Sequence, residues 1–105
     1  MKEITVQELK AMQESGQDIQ VIDIREPYEL DICNIGAQHI PMGEILERAD
    51  EIKTDIPVVI HCRSGGRSSN VVRALEMHKG FSNLHNLKGG ILAWAQEIDT
   101  SLEQY

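Results

Sequence analysis

The feature that most constrains the fold is a buried strand that runs directly into a glycine-rich loop. After Pro57 the chain reads Val58-Val59-Ile60, a β-branched apolar run that is typical of a strand covered on both faces. The loop Cys62-Arg63-Ser64-Gly65-Gly66-Arg67 follows, and a helical pattern begins at about Ser68. This order predicts a β–α unit in which Cys62 stands at the carboxyl end of the strand.

Strand and helix patterns alternate along the rest of the chain. This alternation predicts an α/β fold with a mostly parallel central sheet flanked by helices on both faces. The predicted strands cover residues 19–24, 38–40, 58–60 and 84–87. The predicted helices cover residues 6–15, 27–32, 44–52, 68–79 and 91–98. In the helix 68–79, four side chains are expected to contact the core, namely Val71, Val72, Leu75 and Met77.

Length and composition narrow the class of protein. With 105 residues, 41% of them hydrophobic, the chain is expected to form one domain over residues 1–105. No apolar run is long enough for a membrane helix, and the start lacks a signal-peptide pattern, so the cytoplasm is the expected location. A net charge of −7 argues against nucleic-acid binding. Cys33 and Cys62 lack a secreted-type spacing, which favours free thiols in a reducing compartment.

The loop after the strand is built to hold an anion. Backbone amides in a tight turn and the positive end of a helix dipole attract negative charge. We expect Gly65 and Gly66 to take positive φ, which brings their amides together, and Arg63 and Arg67 to add positive charge. A thiol in such a place ionises below its usual pKa of about 8.5. Cys62 is therefore a candidate nucleophile, although a structural cysteine before an ordinary basic turn is the alternative.

Other polar residues are weaker candidates. Asp23 and Arg25 follow a predicted strand and either line the site or form an ion pair that holds the loop; we favour the ion pair. Cys33 is interpreted as a small buried hydrophobe, with a resolving thiol as the alternative. His61 points away from Cys62 because neighbours in a strand face opposite ways, so it is a poor candidate for a base. The four histidines are scattered, so no metal site is expected, and without a Walker or dinucleotide-binding motif no cofactor is expected either.

Three segments resemble the rhodanese (sulfurtransferase) domain family. They are the first core strand and its continuation, the active-site loop, and a closing motif, namely Val21-Ile22-Asp23-Ile24-Arg25-Glu26-Pro27-Tyr28-Glu29, Ile60-His61-Cys62-Arg63-Ser64-Gly65-Gly66-Arg67-Ser68 and Leu87-Lys88-Gly89-Gly90-Ile91-Leu92-Ala93-Trp94. They occur in the family's order and span nearly the whole chain. The resemblance implies a single rhodanese-like domain. Asp31-Ile32-Cys33-Asn34-Ile35 and the stretch 98–105 are similar to the rhodanese domain behind adenylating enzymes of the MoeB/ThiF type.

The resemblance also implies an activity. A Cys62 thiolate would take the outer sulfur of a donor such as thiosulfate, carry it as a persulfide and pass it to a thiophilic acceptor. The segment Arg63-Ser64-Gly65-Gly66-Arg67 would bind the donor, and its amides would stabilise the terminal sulfur. A sulfur-acceptor protein or an adenylating enzyme is the expected partner.

Three other functions stay open. A phosphatase or arsenate reductase of related fold would need five residues between Cys and Arg, whereas Cys62 and Arg67 have four between them. A non-catalytic interaction module would not need a cysteine in a complete loop. A redox sensor would pair Cys62 with Cys33.

Overall fold

The computed structural model describes residues 1–105 and contains one parallel five-stranded sheet. Its strands are β1 Lys2–Ile4, β2 Gln20–Asp23, β3 Gln38–His39, β4 Val58–His61 and β5 Leu84–Leu87. The helices are α1 Val6–Glu14, α2 Pro27–Ile32, α3 Gly66–Lys79 and α4 Gly90–Glu97, with short 3₁₀ turns at Met42–Glu44 and Ala49–Glu51. The spatial order β1-β5-β4-β2-β3 puts β4, the strand that precedes Cys62, in the centre of the sheet with two strands on each side.

Helices cover both faces of the sheet, as predicted. On one face Ile60 of β4 packs in a cluster with Val72 and other apolar residues of α3. On the opposite face Val59 packs in a second cluster with Leu9 of α1 and Trp94 of α4. Successive residues of a strand point to opposite faces, so the apolar run of β4 fills both cores. Cys62 belongs to the same cluster as Ile60 and therefore lies on the α3 side.

The helices begin where the sequence places their caps. Thr5 and Glu8 form the expected capping box, with the Glu8 amide donating to the Thr5 hydroxyl at 3.1 Å and the Thr5 amide donating to Glu8 Oε1 at 3.0 Å. Pro27 opens α2, where its missing N–H costs nothing. The helix of the β–α unit begins at Gly66, two residues before the predicted start at about Ser68.

The predicted helix over residues 44–52 is wrong. This stretch holds two 3₁₀ turns, and Arg48, between them, leaves helical geometry with φ −105° and ψ 21°. Ile45 and Ile52 are both buried, so these two core anchors are satisfied without a continuous helix. A helix this short gains little from propensity alone, and packing decides its conformation.

One further expectation is wrong, and one strand of the sheet was not predicted. Met77 is 79% exposed and makes no core contact, because it lies two residues beyond Leu75 and therefore on the opposite side of α3. The edge strand β1 was not predicted, since Lys2 and Glu3 are exposed and give no apolar pattern. No helix is both long enough and apolar enough to cross a membrane.

Candidate active site

The Cys62 thiol lies at the carboxyl edge of the central strand, in the short connection between β4 and α3. Gly65 has φ +108°, a conformation that favours glycine, and it turns the chain into the helix. Gly66 does not share this conformation, so the expectation of positive φ holds for Gly65 alone. The first turn of α3 consequently starts next to the sulfur, and its free amides face the loop.

Several hydrogen-bond donors converge on the Cys62 sulfur. The Gly65 amide donates to Sγ at 3.1 Å and the Ser68 amide at 3.4 Å. The Ser68 hydroxyl also lies 3.4 Å from Sγ, and its single hydrogen has two other possible acceptors, Asn86 Oδ1 and the Gly65 carbonyl oxygen. Burial raises the pKa of the Cys62 thiol, but the donors from Ser68, Gly65 and the Ser64 amide outweigh burial, so the net pKa is lowered. The site therefore favours a thiolate.

Helix α4 fixes the orientation of this loop. The amides of Ile91 and Leu92 donate to the carbonyl oxygens of Cys62 and Arg63, each at 3.0 Å. In a trans peptide the carbonyl and the following N–H point in opposite directions, so anchoring the Arg63 carbonyl turns the Ser64 amide toward the sulfur. A Cβ at Gly90 would lie 2.5 Å from the Arg63 oxygen, and only glycine permits this close approach.

Arg67, a predicted donor-binding residue, is held by a carboxylate. Its two terminal nitrogens donate to the oxygens of Glu29, both at 2.8 Å. Glu29 also accepts from the Glu26 amide and the Tyr105 hydroxyl, each at 2.8 Å. Because Arg67 stabilises the charged form more than burial disfavours it, the pKa of Glu29 falls to about 2. The structure thus joins α2, the loop and Tyr105 in one network.

Arg63 differs from Arg67 in having no carboxylate partner. Its guanidinium carbon lies 4.9 Å from the centroid of the Tyr105 ring, a cation–π distance. Its Nε is buried and has no hydrogen-bond partner. Ser64, at the tip of the loop, is exposed. The loop therefore carries one positive charge without an ion-pair partner, on the residue that follows Cys62.

The polar residues after β2 form a structural ion pair, as favoured from the sequence. Arg25 is fully buried and contacts Asp23 with a closest N–O distance of 2.7 Å. Arg25 also donates to the Cys33 carbonyl at 2.8 Å and to the Tyr105 hydroxyl at 2.9 Å. These bonds tie the end of β2 to the end of α2 and to Tyr105, whose ring in turn contacts Arg63.

Neither of the remaining candidates, Cys33 and His61, donates a hydrogen bond to the Cys62 sulfur. Cys33 and Cys62 are both buried free thiols. His61 is buried, and burial lowers its pKa, which keeps the imidazole neutral. Its Nδ1 lies 3.2 Å from the Cys62 carbonyl oxygen, and its side chain lies on the other face of β4. No three His, Cys, Asp or Glu side chains are grouped closely enough to hold a metal ion.

Sequence reasoning missed three residues of this network. Ser68 was interpreted only as the helix start, although a serine in the first turn after a cysteine loop is a signal for a donor. Glu29 was quoted only as part of a motif, and its contact with Arg67 joins residues 38 positions apart. Tyr105 was quoted only within the stretch 98–105, and it contacts residues 76 and 80 positions away.

The structure is that of an α/β protein with a cysteine at the carboxyl edge of a parallel sheet, where loop amides and a helix N-terminus lower the pKa of its thiol. The chain belongs to the rhodanese family: the model described as "Rhodanese-like domain" matches residues 5–97.

Individual relatives agree with this assignment. A protein named "Sulfurtransferase" from Allochromatium vinosum is 39% identical over 91% of this chain and 90% of its own length. The "Probable adenylyltransferase/sulfurtransferase MoeZ" of Mycobacterium tuberculosis is 37% identical over 97% of this chain, which spans only 26% of that protein. The crystal structure of a rhodanese-like domain protein from Staphylococcus aureus has a TM-score of 0.84 and 33% identity, covering 100% of this chain and 99% of that one. Family and relatives together support a general role in sulfur transfer.

Proposed function

We propose that the protein is a sulfurtransferase in which Cys62 accepts a sulfane sulfur from a small anionic donor such as thiosulfate and passes it to a thiophilic acceptor. The observation that carries the proposal is the convergence of the Gly65 and Ser68 amides on the Cys62 sulfur. Such donors stabilise a thiolate before the reaction and an anionic sulfur after it. The family assignment and the sulfurtransferase names of relatives support the same reaction class.

The first half-reaction moves one sulfur atom onto the enzyme. The Cys62 thiolate attacks the outer sulfur of thiosulfate, and a new S–S bond forms at Cys62. The S–S bond of thiosulfate breaks, and its electron pair leaves with sulfite. The lowered pKa of Cys62 raises the fraction of the thiol that is present as thiolate, the form that attacks.

The second half-reaction releases the sulfur. A nucleophile attacks the terminal sulfur of the persulfide, the S–S bond to Cys62 breaks, and the Cys62 thiolate is regenerated. With cyanide the product is thiocyanate; with a thiol it is a new persulfide. The amides of the loop stabilise the outgoing charge because α4 holds their peptide planes in place.

The residues of the Cys62 loop have different roles in this reaction. In our proposal Arg63 attracts the anionic part of the donor, since it has no carboxylate partner. Arg67 contributes to the wall of the site together with Glu29, which offsets much of its charge. Ser64 and Gly65 supply amides, and Gly66 begins the helix whose amides complete the cradle.

The acceptor must have a reactive group that is narrow enough to reach a buried sulfur. The Cys62 side chain is almost fully buried, with 1% of the residue exposed. We propose a thiol or a flexible protein terminus as the physiological acceptor, supplied by an acceptor protein or by an adenylating enzyme. The name of the relative MoeZ, an adenylyltransferase/sulfurtransferase, supports such a pairing.

Steady-state kinetics test the proposal. Thiocyanate formation from thiosulfate and cyanide should give parallel double-reciprocal lines, the pattern of a reaction through a sulfur-loaded enzyme. Cys62→Ser should abolish the activity, whereas Cys33→Ser should retain it. Activity in Cys62→Ser, or intersecting lines, would contradict a Cys62 persulfide. Turnover of aryl phosphate or arsenate without sulfur transfer would favour the phosphatase or reductase alternative.

A further inference from the structure

Three arginines border the Cys62 loop, and only one of them keeps its charge unpaired. Arg25 is paired with Asp23, and Arg67 is paired with Glu29. Arg63 makes neither an ion pair nor a side-chain hydrogen bond, and its Nε is buried. A long side chain of this kind has many rotamers, and no hydrogen bond restricts those of Arg63.

The Tyr105 ring is the group that contacts the Arg63 guanidinium. The ring centroid lies 4.9 Å from the guanidinium carbon. The ring is itself held at its far end, because the Tyr105 hydroxyl donates to Glu29 at 2.8 Å and accepts from Arg25 at 2.9 Å. Glu29 and Arg25 are both almost fully buried, so the ring is anchored to the rigid part of the site.

We propose that Tyr105 is a positioning residue whose ring holds the Arg63 guanidinium beside the Cys62 loop, so that anionic reagents approaching the sulfur meet a fixed positive charge. Its consequence for donor binding rests on the proposed sulfur transfer. Tyr105→Leu should then raise KM for thiosulfate and leave kcat nearly unchanged, because the interaction acts on the charge of the donor.

A charge-pair alkylation experiment tests this inference without any sulfur transfer. In a Cys33→Ser background, the Cys62 thiolate displaces iodide from anionic iodoacetate or from neutral iodoacetamide, and intact mass follows both rates. The ratio of the two rate constants reports the local positive charge, since the thiolate fraction enters both rates equally. Arg63→Gln should lower this ratio by about three- to tenfold, the range expected for a nearby partly buried charge.

The Tyr105 variants separate the ring from the hydroxyl. Tyr105→Leu should lower the ratio about as much as Arg63→Gln does. Tyr105→Phe keeps the ring but loses the two hydrogen bonds that anchor it, so its ratio should fall clearly less than that of Tyr105→Leu. Tyr28→Leu, at the 66% exposed second tyrosine, is the matched control and should change nothing.

Three results would overturn the inference: no effect of Arg63→Gln, no effect of Tyr105→Leu beside a clear effect of Arg63→Gln, or an equal fall in Tyr105→Phe. The outcome is independent of the proposed function. A protein that shows the expected ratios but takes up no sulfur would refute sulfur transfer and leave the role of Tyr105 intact. A protein that transfers sulfur with unchanged ratios would do the reverse.

Discussion

Glu29 is the carboxylate on which the wall of the candidate site depends, and Glu29→Gln should destabilise the fold measurably. The Glu29 side chain is 3% exposed and makes two hydrogen bonds to Arg67. Its pKa falls from an ordinary 4.5 to about 2, which corresponds to about 3 kcal/mol of stabilisation at neutral pH. Because the Arg67 side chain is 35% exposed and screened by water, we expect a loss of about 2 kcal/mol in the variant.

The lowered pKa of Glu29 also determines how the stability of the fold depends on pH. A carboxyl group whose pKa is lowered by folding stabilises the native state above its unfolded pKa of about 4.5, and this contribution is lost as the pH falls toward about 2. The wild-type protein should therefore lose more stability between pH 5 and pH 3 than the Glu29→Gln variant does. Urea unfolding at several pH values measures both, with fluorescence of the buried Trp94 as the probe.

A matched variant makes this prediction refutable. Glu51 also accepts two hydrogen bonds from one arginine, Arg48, but the Glu51 side chain is 37% exposed, whereas that of Glu29 is 3% exposed. Glu51→Gln should change the free energy of unfolding little, because exposed ion pairs contribute little. If Glu29→Gln and Glu51→Gln have equally small effects, or if the Glu29→Gln protein keeps the wild-type acid dependence, the account of the Glu29 network is refuted.

Two other substitutions test the hydrogen bonds and the close packing around the Cys62 loop. Ser68→Ala removes a donor that lowers the pKa of Cys62, so the midpoint of the pH–rate profile for alkylation by iodoacetamide should move to higher pH; an unchanged midpoint would show that Ser68 does not stabilise the thiolate. Gly90→Ala places a Cβ 2.5 Å from the Arg63 oxygen at a φ of +58°, and it should cost about 1–3 kcal/mol of stability and most of the sulfur uptake. Gly43→Ala, with open space around the new Cβ, is its control, and equal losses in both variants would contradict the tight contact between α4 and the loop.

The sequence predicted the elements whose patterns are local. The β-branched run of β4, the capping box of α1 and the proline of α2 each act within a few residues, and the structure has all three elements. The stretch 44–52 has a helical stripe as well, but Ile45 and Ile52 reach the core through two turns. Strand β1 forms because β5 offers an edge to pair with, which a local pattern does not reveal.

The candidate site likewise has one part that is local in the sequence and one part that depends on distant residues. Cys62 and its glycine-rich loop were recognisable because the loop lies in one short segment between a strand and a helix. The state of the two loop arginines was not, since Arg67 pairs with Glu29 on α2 and Arg63 contacts Tyr105, 42 residues further along the numbering. These contacts depend on how the chain returns to the carboxyl edge of the sheet, which residue types alone do not specify.

The most direct test of the central claim is an intact mass of the reduced protein after incubation with thiosulfate and removal of small molecules. We predict a gain of one sulfur atom that is absent in Cys62→Ser and is removed by cyanide. An unchanged mass with thiosulfate, and with an organic persulfide as a second donor, would contradict the account. A gain of sulfur that persists in Cys62→Ser would contradict it equally, because the sulfur would then be carried elsewhere.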